Sequence, residues 1–331
     1  MKPFSVAVVG ATGMVGRKML QVLCERDLPV KALTLFASPR SEGKVLHAFD
    51  RPHTVKALTE SAVRNLRADY ALFSAGAAVS DAFAPLFAQR GTVVIDNSSR
   101  WRTHPDVPLV VPEVNAEAIF THRGIIANPN CSTIQAVVVL APLHRAYGIK
   151  RIVYSTYQAV SGAGRQGVID LEEGLKGAPP KKFPLPIFGN ALPQVDAFLE
   201  NGYTKEEEKM MVETRKILGA PQMRITATTV RVPVFYGHSE SVNVEFERPV
   251  TVEGVRETLK KSAGVVVLDD PSSGVYPTPR ELAGRDEVFV GRIRKDESVE
   301  SGVNLWVVAD NIRKGAATNA VQILQKLLES E

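Results

Sequence analysis

The chain is predicted to be a two-part α/β protein, with a doubly wound, mostly parallel sheet over residues 1–130 and then an α+β part with a mainly antiparallel sheet. Three observations carry that expectation. A β-branched run at 4–9 meets glycines at 10, 13 and 16, and helical apolar spacing follows at once. Apolar runs at 32–37, 70–74 and 92–95 alternate with helix-like stretches such as 80–90. Beyond residue 131 the pattern changes to alternating or β-branched segments at 151–160, 224–234, 239–247 and 303–309.

Size and composition narrow the function classes. The 331 residues, 44% hydrophobic and 23% charged, can bury two separate cores and give no sign of disorder. The net charge is +4 and the pI about 9.0, but Lys and Arg are dispersed among 36 acidic residues without a dense basic tract. Small anionic ligands are therefore expected and nucleic acid is not. Two cysteines, Cys24 and Cys131, form no disulfide framework, and no Cys/His spacing points to a metal. The opening apolar run is too brief for a signal-peptide core, and no segment approaches the roughly 18 apolar residues that span a bilayer. The expectation is a cytoplasmic protein with no membrane partner.

Taken in order, the run Phe4–Val9 reads as a strand and 15–23 as a helix, joined by Gly10-Ala11-Thr12-Gly13-Met14-Val15-Gly16. Glycines so placed permit a tight turn and close backbone approach, so that a pyrophosphate can rest against the helix N-terminus. This is the start of a Rossmann-type dinucleotide-binding domain. The next strand ends at Phe36-Ala37-Ser38-Pro39-Arg40-Ser41, where an NAD site usually carries an acidic residue for the ribose 2′-hydroxyl. Ser38, Arg40 and Ser41 instead offer hydroxyls and a cation suited to a 2′-phosphate, so NADP is expected over NAD.

The segment Asn128-Pro129-Asn130-Cys131-Ser132-Thr133 sets a thiol between a Pro-Asn turn and the apolar run 134–143. At such a junction the unpaired helix N–H groups favour negative charge and hence a thiolate nucleophile. Cys24, on an apolar helix face, reads as structural. The later strands are split by a Pro/Gly/Lys-rich loop at 177–193 and a helix-like stretch at 204–218. The final segment, 315–328, carries Ala316, Ala320, Ile323, Leu324 and Leu327 on one helical face and is expected to return to the first part. The domains predicted are thus 1–130 completed by 311–331, and 131–310.

A thiol used with a nicotinamide suggests aldehyde oxidation through a thioester, which needs a proton-transfer group, a donor at the acyl oxygen and cations for anionic substrates. Of the six histidines, His238 has the most suitable setting, a polar loop between two strand-like runs.

Several stretches in register from residue 4 to 328 resemble the bacterial aspartate-semialdehyde dehydrogenase family. They are 10–16, Asp96-Asn-Ser-Ser-Arg-Trp-Arg102, Val111-Pro-Glu-Val-Asn115, 128–133, Tyr157-Gln-Ala-Val-Ser-Gly-Ala-Gly164, Arg231-Val-Pro-Val234 with His238-Ser-Glu-Ser241, and Asp310-Asn311 with Lys314-Gly-Ala-Ala317. The resemblance implies Cys131 as acyl-thioester nucleophile, His238 as acid/base and Gln158 as the active-site glutamine. It implies Arg231 as the clamp for the substrate carboxylate and Glu206 as the partner of the substrate amine. Arg102 and Lys209 would be the phosphate cations, and Gly10, Thr12, Gly13, Met14, Val15, Gly16, Ser161, Gly162 and Asn311 would contact the cofactor.

Within Glu206-Glu207-Glu208-Lys209, positions 206 and 209 share a helix face, while Glu207 and Glu208 read as a solvated charged face. Trp101 departs from the family, which usually carries Phe there. The resemblance further implies a homodimer built through the second domain, and NADP-dependent interconversion of aspartate 4-semialdehyde and 4-phospho-aspartate, with phosphate as co-substrate, in lysine, threonine and methionine synthesis. A rival is an acyl-phosphate or acyl-CoA reductase for another acid. A short-chain reductase is disfavoured because Tyr147 and Lys150 are one residue too close for a Tyr-x-x-x-Lys pair.

Overall fold

Six consecutive buried residues, Phe4–Val9, form β1, and such a run without alternation is what a strand covered on both faces requires. The computed structural model describes residues 1–330. After β1 come α1 (Met14–Glu25), β2 (Val30–Ala37), β3 (Val45–Ala48), β4 (Arg51–Ala57), α2 (Glu60–Arg64) and β5 (Tyr70–Phe73). Then follow α3 (Ala77–Ala88), β6 (Val93–Asp96), α4 (Pro112–Asn115) and β7 (Ile125–Ala127). The seven strands lie in the order β3-β4-β2-β1-β5-β6-β7, all parallel except the β3/β4 pair. The chain thus runs outward on one side of β1 and restarts at β5 on the other, which makes the C-terminal end of β1 a topological switch point.

From Cys131 the chain builds a second unit that continues to Gly315. Its elements are α5 (Cys131–Tyr147), β8 (Ile149–Gln158), α6 (Arg165–Gly174), α7 (Lys205–Leu218), β9 (Arg224–Arg231) and β10 (His238–Phe246). They continue with α8 (Val252–Lys260), β11 (Val265–Val267), α9 (Pro279–Leu282), β12 (Val288–Lys295) and β13 (Gly302–Ala309). The sheet order is β11-β12-β13-β10-β8-β9. Three neighbouring pairs are antiparallel, while β11/β12 and β8/β9 are parallel, so the sheet is mixed. The β8/β9 pair is parallel because α6 and α7 lie between them in sequence, as a crossover requires.

Residues from Ala316 onward, with α10 (Thr318–Glu329), belong to the first unit, whereas Asn311 stays with the second. In α10 the side chains of Ala320, Val321, Ile323, Leu324 and Leu327 join the core around β1 and α1. Asn319 donates to the Val110 carbonyl at 2.9 Å and to Asn128 Oδ1 at 2.7 Å, and Asn128 donates to Asn97 Oδ1 at 2.7 Å. This buried amide chain holds the turn that leads to residue 131.

Candidate active site

In the second unit, β9, β8 and β10 bring three polar side chains to one end of the sheet. Gln158 pairs with Arg231 across β8/β9, and Ser239 opposite Tyr157 sets His238 beside Gln158. All three are buried, with His238 wholly so. His238 was expected in a loop. It is instead the first residue of β10, because the chain turns at 232–237, where Gly237 has φ +85°.

Cys131 begins α5, half-buried, with Gly315 packed so closely that a side chain there would strike the cysteine Cβ at 2.8 Å. Gly162 likewise leaves room for the site, since a Cβ would lie 2.8 Å from Arg231 Nη1 and 3.2 Å from His238 Nε2. The Cys131 charge is felt at Arg231.

The proton inventory follows from the hydrogen bonds. The Ala159 N–H donates to His238 Nδ1 at 3.0 Å, so a neutral ring carries its proton on Nε2, which has no partner in the protein. Burial, aided by the Arg231 cation, pushes the His238 pKa well below the usual imidazole value, so the ring is neutral at pH 7. Arg231 Nη1 donates to the Ala159 carbonyl at 2.8 Å, and its buried Nε is unpaired. The Nε/Nη2 edge is therefore a free fork for a carboxylate. Burial lowers the Arg231 pKa, opposed by the charges of Glu206 and Cys131.

α7 supplies the acidic side. Its start is a capping box: Thr204 accepts from the Glu207 N–H at 3.3 Å, while Glu207 accepts from the Thr204 N–H at 2.7 Å. Glu207 also accepts from the Thr229 N–H of β9 at 2.8 Å. The expectation of a solvated Glu207 is thus overturned: it is buried, and only Glu208 is exposed. One residue earlier, the buried Glu206 accepts from Gln158 Nε2 at 3.2 Å and lies 3.4 Å from Lys209 Nζ. Lys209 also pairs with Asp196 at 2.6 Å. Cys131, Gln158, Arg231, His238, Glu206 and Lys209 therefore share one neighbourhood in this unit.

Of the expected cofactor contacts, three lie here. Asn311 Oδ1 accepts from the Gly237 N–H at 2.9 Å, and its amide donates to Ser161 Oγ at 3.0 Å. Ser161, Gly162 and Asn311 thereby tie the turn after β8 to the loop that delivers His238.

The remaining expected contacts lie in the first unit. Gly10 has φ +83°, and a Cβ there would collide with the Ser74 carbonyl; one on Gly16 would collide with Gly10 O. Gly13 caps α1 with no side-chain bond, so the backbone N–H groups of Met14, Val15 and Gly16 face a cradle that a larger loop would fill. Those features fit a dinucleotide pyrophosphate, with Thr12 inside the turn. At the end of β2, Ser38 and Arg40 are exposed and Ser41 is buried, its N–H bonded to Ser38 O at 2.8 Å. Arg102 is buried, donating to the Asn97 carbonyl at 2.9 Å, and Trp101 donates to Ser80 Oγ at 2.9 Å. Among the described residues no cluster of His, Cys, Asp and Glu could hold a metal ion, and no helix is long and apolar enough to cross a membrane.

Two site neighbours were given no role from the sequence, although Glu240 lies within the stretch 238–241. Glu240 is fully buried opposite Thr156, and neither of its carboxyl oxygens has a partner. Gln135 of α5 donates to the His238 carbonyl at 3.4 Å. Alternation from His238 along β10 could have assigned Glu240 to the same face.

The semialdehyde dehydrogenase NAD binding domain family matches residues 5–122, and the semialdehyde dehydrogenase dimerisation domain family matches residues 140–314. An aspartate-semialdehyde dehydrogenase from Aquifex aeolicus is 56% identical over 98% of both chains. The crystal structure of aspartate semialdehyde dehydrogenase II from Vibrio cholerae, complexed with ASA, is 48% identical over 99% of each chain at a TM-score of 0.94. The Candida albicans aspartate semialdehyde dehydrogenase with NADP is 27% identical over 98% of both chains, at 0.78.

Proposed function

The chain belongs to the aspartate-semialdehyde dehydrogenase family, and on that premise we infer that it interconverts L-aspartate 4-semialdehyde and 4-phospho-L-aspartate through a thioester on Cys131. In the reductive direction the Cys131 thiolate attacks the acyl carbon, forming the S–C bond as the bond to phosphate breaks. A bound nicotinamide would supply the hydride to that carbon as NADPH in this direction and accept it as NADP+ in the reverse. The oxyanion that builds on the acyl oxygen accepts a hydrogen bond from the Nε2–H of His238, and it collapses to the aldehyde as the thiolate departs. The proton taken up overall goes to the released phosphate.

Binding falls to the surrounding groups. The open fork of Arg231 takes the substrate carboxylate, Glu206 takes the ammonium, and Gln158, held by Glu206, orients the acyl group. Arg102 and Lys209 are the cations for phosphate. NADP is preferred to NAD because Ser38 and Arg40 stand exposed at the end of β2 where an acidic residue would select NAD. The enzyme works as a homodimer and feeds lysine, threonine and methionine synthesis. The observation that carries this reading is that Arg231 and a neutral, Nε2-protonated His238 meet at Gly162, with Cys131 near enough to act electrostatically on Arg231.

The test is NADPH formation from aspartate semialdehyde with and without phosphate. Turnover should require phosphate and fall by at least about a thousandfold in Cys131→Ala, as loss of a covalent nucleophile demands. Phosphate-independent turnover, or a variant as active as the parent, would overturn the assignment.

A further inference from the structure

The Pro- and Lys-rich segment 175–193 closes on Arg231 from two sides. At its far end, Leu192 forms an antiparallel bridge with Arg231, with paired N–H to O distances of 2.9 and 2.8 Å at the edge of β9. At its near end, the Phe183 ring lies over the Arg231 guanidinium, 6.0 Å from ring centre to Cζ. The ring thus flanks the cation at the outer limit of a cation–π contact, and it offers no acceptor to the fork.

One buried carboxylate holds that arrangement. Oδ2 of Asp170, on α6, accepts three successive backbone N–H groups, from Lys181 at 3.0 Å, Lys182 at 2.6 Å and Phe183 at 3.1 Å. Its Oδ1 accepts from Gln166 Nε2 at 3.0 Å. Three consecutive donors on one oxygen fix the backbone direction at Phe183, and charge-assisted bonds of this kind are about twice as strong as neutral ones. Gly167, one turn before Asp170, leaves no room for a side chain: a Cβ there would collide with the Val160 carbonyl oxygen and lie 3.2 Å from the Phe183 ring. Ile187 and Leu192 are buried and anchor the rest.

We propose that 175–193 is a strap that sets the width of the Arg231 subsite, with Phe183 as its specificity-determining wall and Asp170 as the positioning residue that holds the wall in place. The proposal rests on the reading of Arg231 as the carboxylate clamp. With the ring against the guanidinium, a substrate carboxylate can approach only along the fork, which fixes its distance from Cys131 and favours a four-carbon chain over its five-carbon homologue. One methylene in such a pocket is worth about 10–200-fold in specificity.

Two measurements on the full-length protein decide it. In steady-state kinetics, Phe183→Ala should raise KM for aspartate semialdehyde about tenfold, with the smaller effect on kcat, and narrow the preference over glutamate semialdehyde about tenfold. Asp170→Asn should move both in the same direction, and Phe183→Tyr should restore them. Independently of turnover, phenylglyoxal modification of Arg231, followed by mass spectrometry, should be several-fold faster in both variants. If both variants keep the parent's KM, chain-length preference and modification rate, the strap is overturned. If the parent does not use aspartate semialdehyde, the functional reading fails, and the modification rates alone decide whether Phe183 covers Arg231. Phe183 is half-buried and outside the core, so its variant folds even if Asp170→Asn does not.

Discussion

Glu240 bears a cost that its neighbours explain. Burial, with the nearby Glu206 charge added, raises its pKa well above the ordinary carboxylate value. The folded state therefore keeps a proton that the unfolded chain loses near pH 4.5, and stability falls as pH rises from there toward the folded pKa. A neutral Gln cannot ionise and escapes that penalty. Glu240→Gln should match the parent in denaturant midpoint near pH 4 and exceed it at pH 8. An equal difference at both pH values would mean that Glu240 is ionised in the fold. At this scale, residue chemistry also separates the two cysteines. Cys131 opens a helix beside Arg231, while Cys24 packs against the first core, its Sγ accepting the Phe49 N–H at 3.2 Å.

Among the elements, α7 matters most to the site, because it carries Glu206 and Lys209 and is fixed to β9 by Glu207. Glu207→Ala removes acceptors from two buried N–H groups, at Thr204 and Thr229. It should cost about 2–3 kcal/mol in urea-induced unfolding; a loss near zero would show that water replaces the carboxylate. The box Thr204-x-x-Glu207 was legible in the sequence, but the run of three glutamates disguised it as a charged face. Strands β1 and β13 were legible because valines cluster in them, and β5 because Tyr70-Ala-Leu-Phe73 is an unbroken apolar run. The β3/β4 hairpin was not, since Arg51-Pro-His-Thr-Val-Lys-Ala57 alternates polar residues with only one fully apolar position at its centre. Nor was β12, where Val288-Phe-Val-Gly-Arg-Ile-Arg-Lys295 is apolar at one end and charged at the other. Cys131, Gln158, Arg231 and His238 could be named from motifs, yet their partners Asp170, Phe183 and Glu240 become neighbours only through sheet register and loop path.

At the scale of the molecule, of the thirteen large apolar side chains left exposed among the described residues, ten lie in the second unit, among them Tyr157, Phe235, Tyr236 and Tyr276. Alternation puts Tyr157 on the face opposite Thr156 and Gln158, where its ring meets Trp306 at 5.5 Å. A dimerisation domain family matches this unit over residues 140–314, and its exposed apolar side chains are where association is expected. Sedimentation equilibrium should give twice the chain mass of 36.0 kDa, and Tyr157→Arg should shift the protein toward a single chain. A parent that sediments as one chain at micromolar concentration would rule out the homodimer.

The return of α10 to the β1 sheet has a consequence for biosynthesis. Val8, Met19 and Leu23 emerge from the ribosome some three hundred codons before their packing partners Ile323 and Leu324. At about 5–20 residues per second, the nucleotide-binding unit must wait roughly 15–60 s with an open hydrophobic flank. The second unit, continuous from 131 to 315, is complete before the first can close. The part synthesised first is thus the part whose core closes last, and a nascent-chain chaperone would find its exposed surface there.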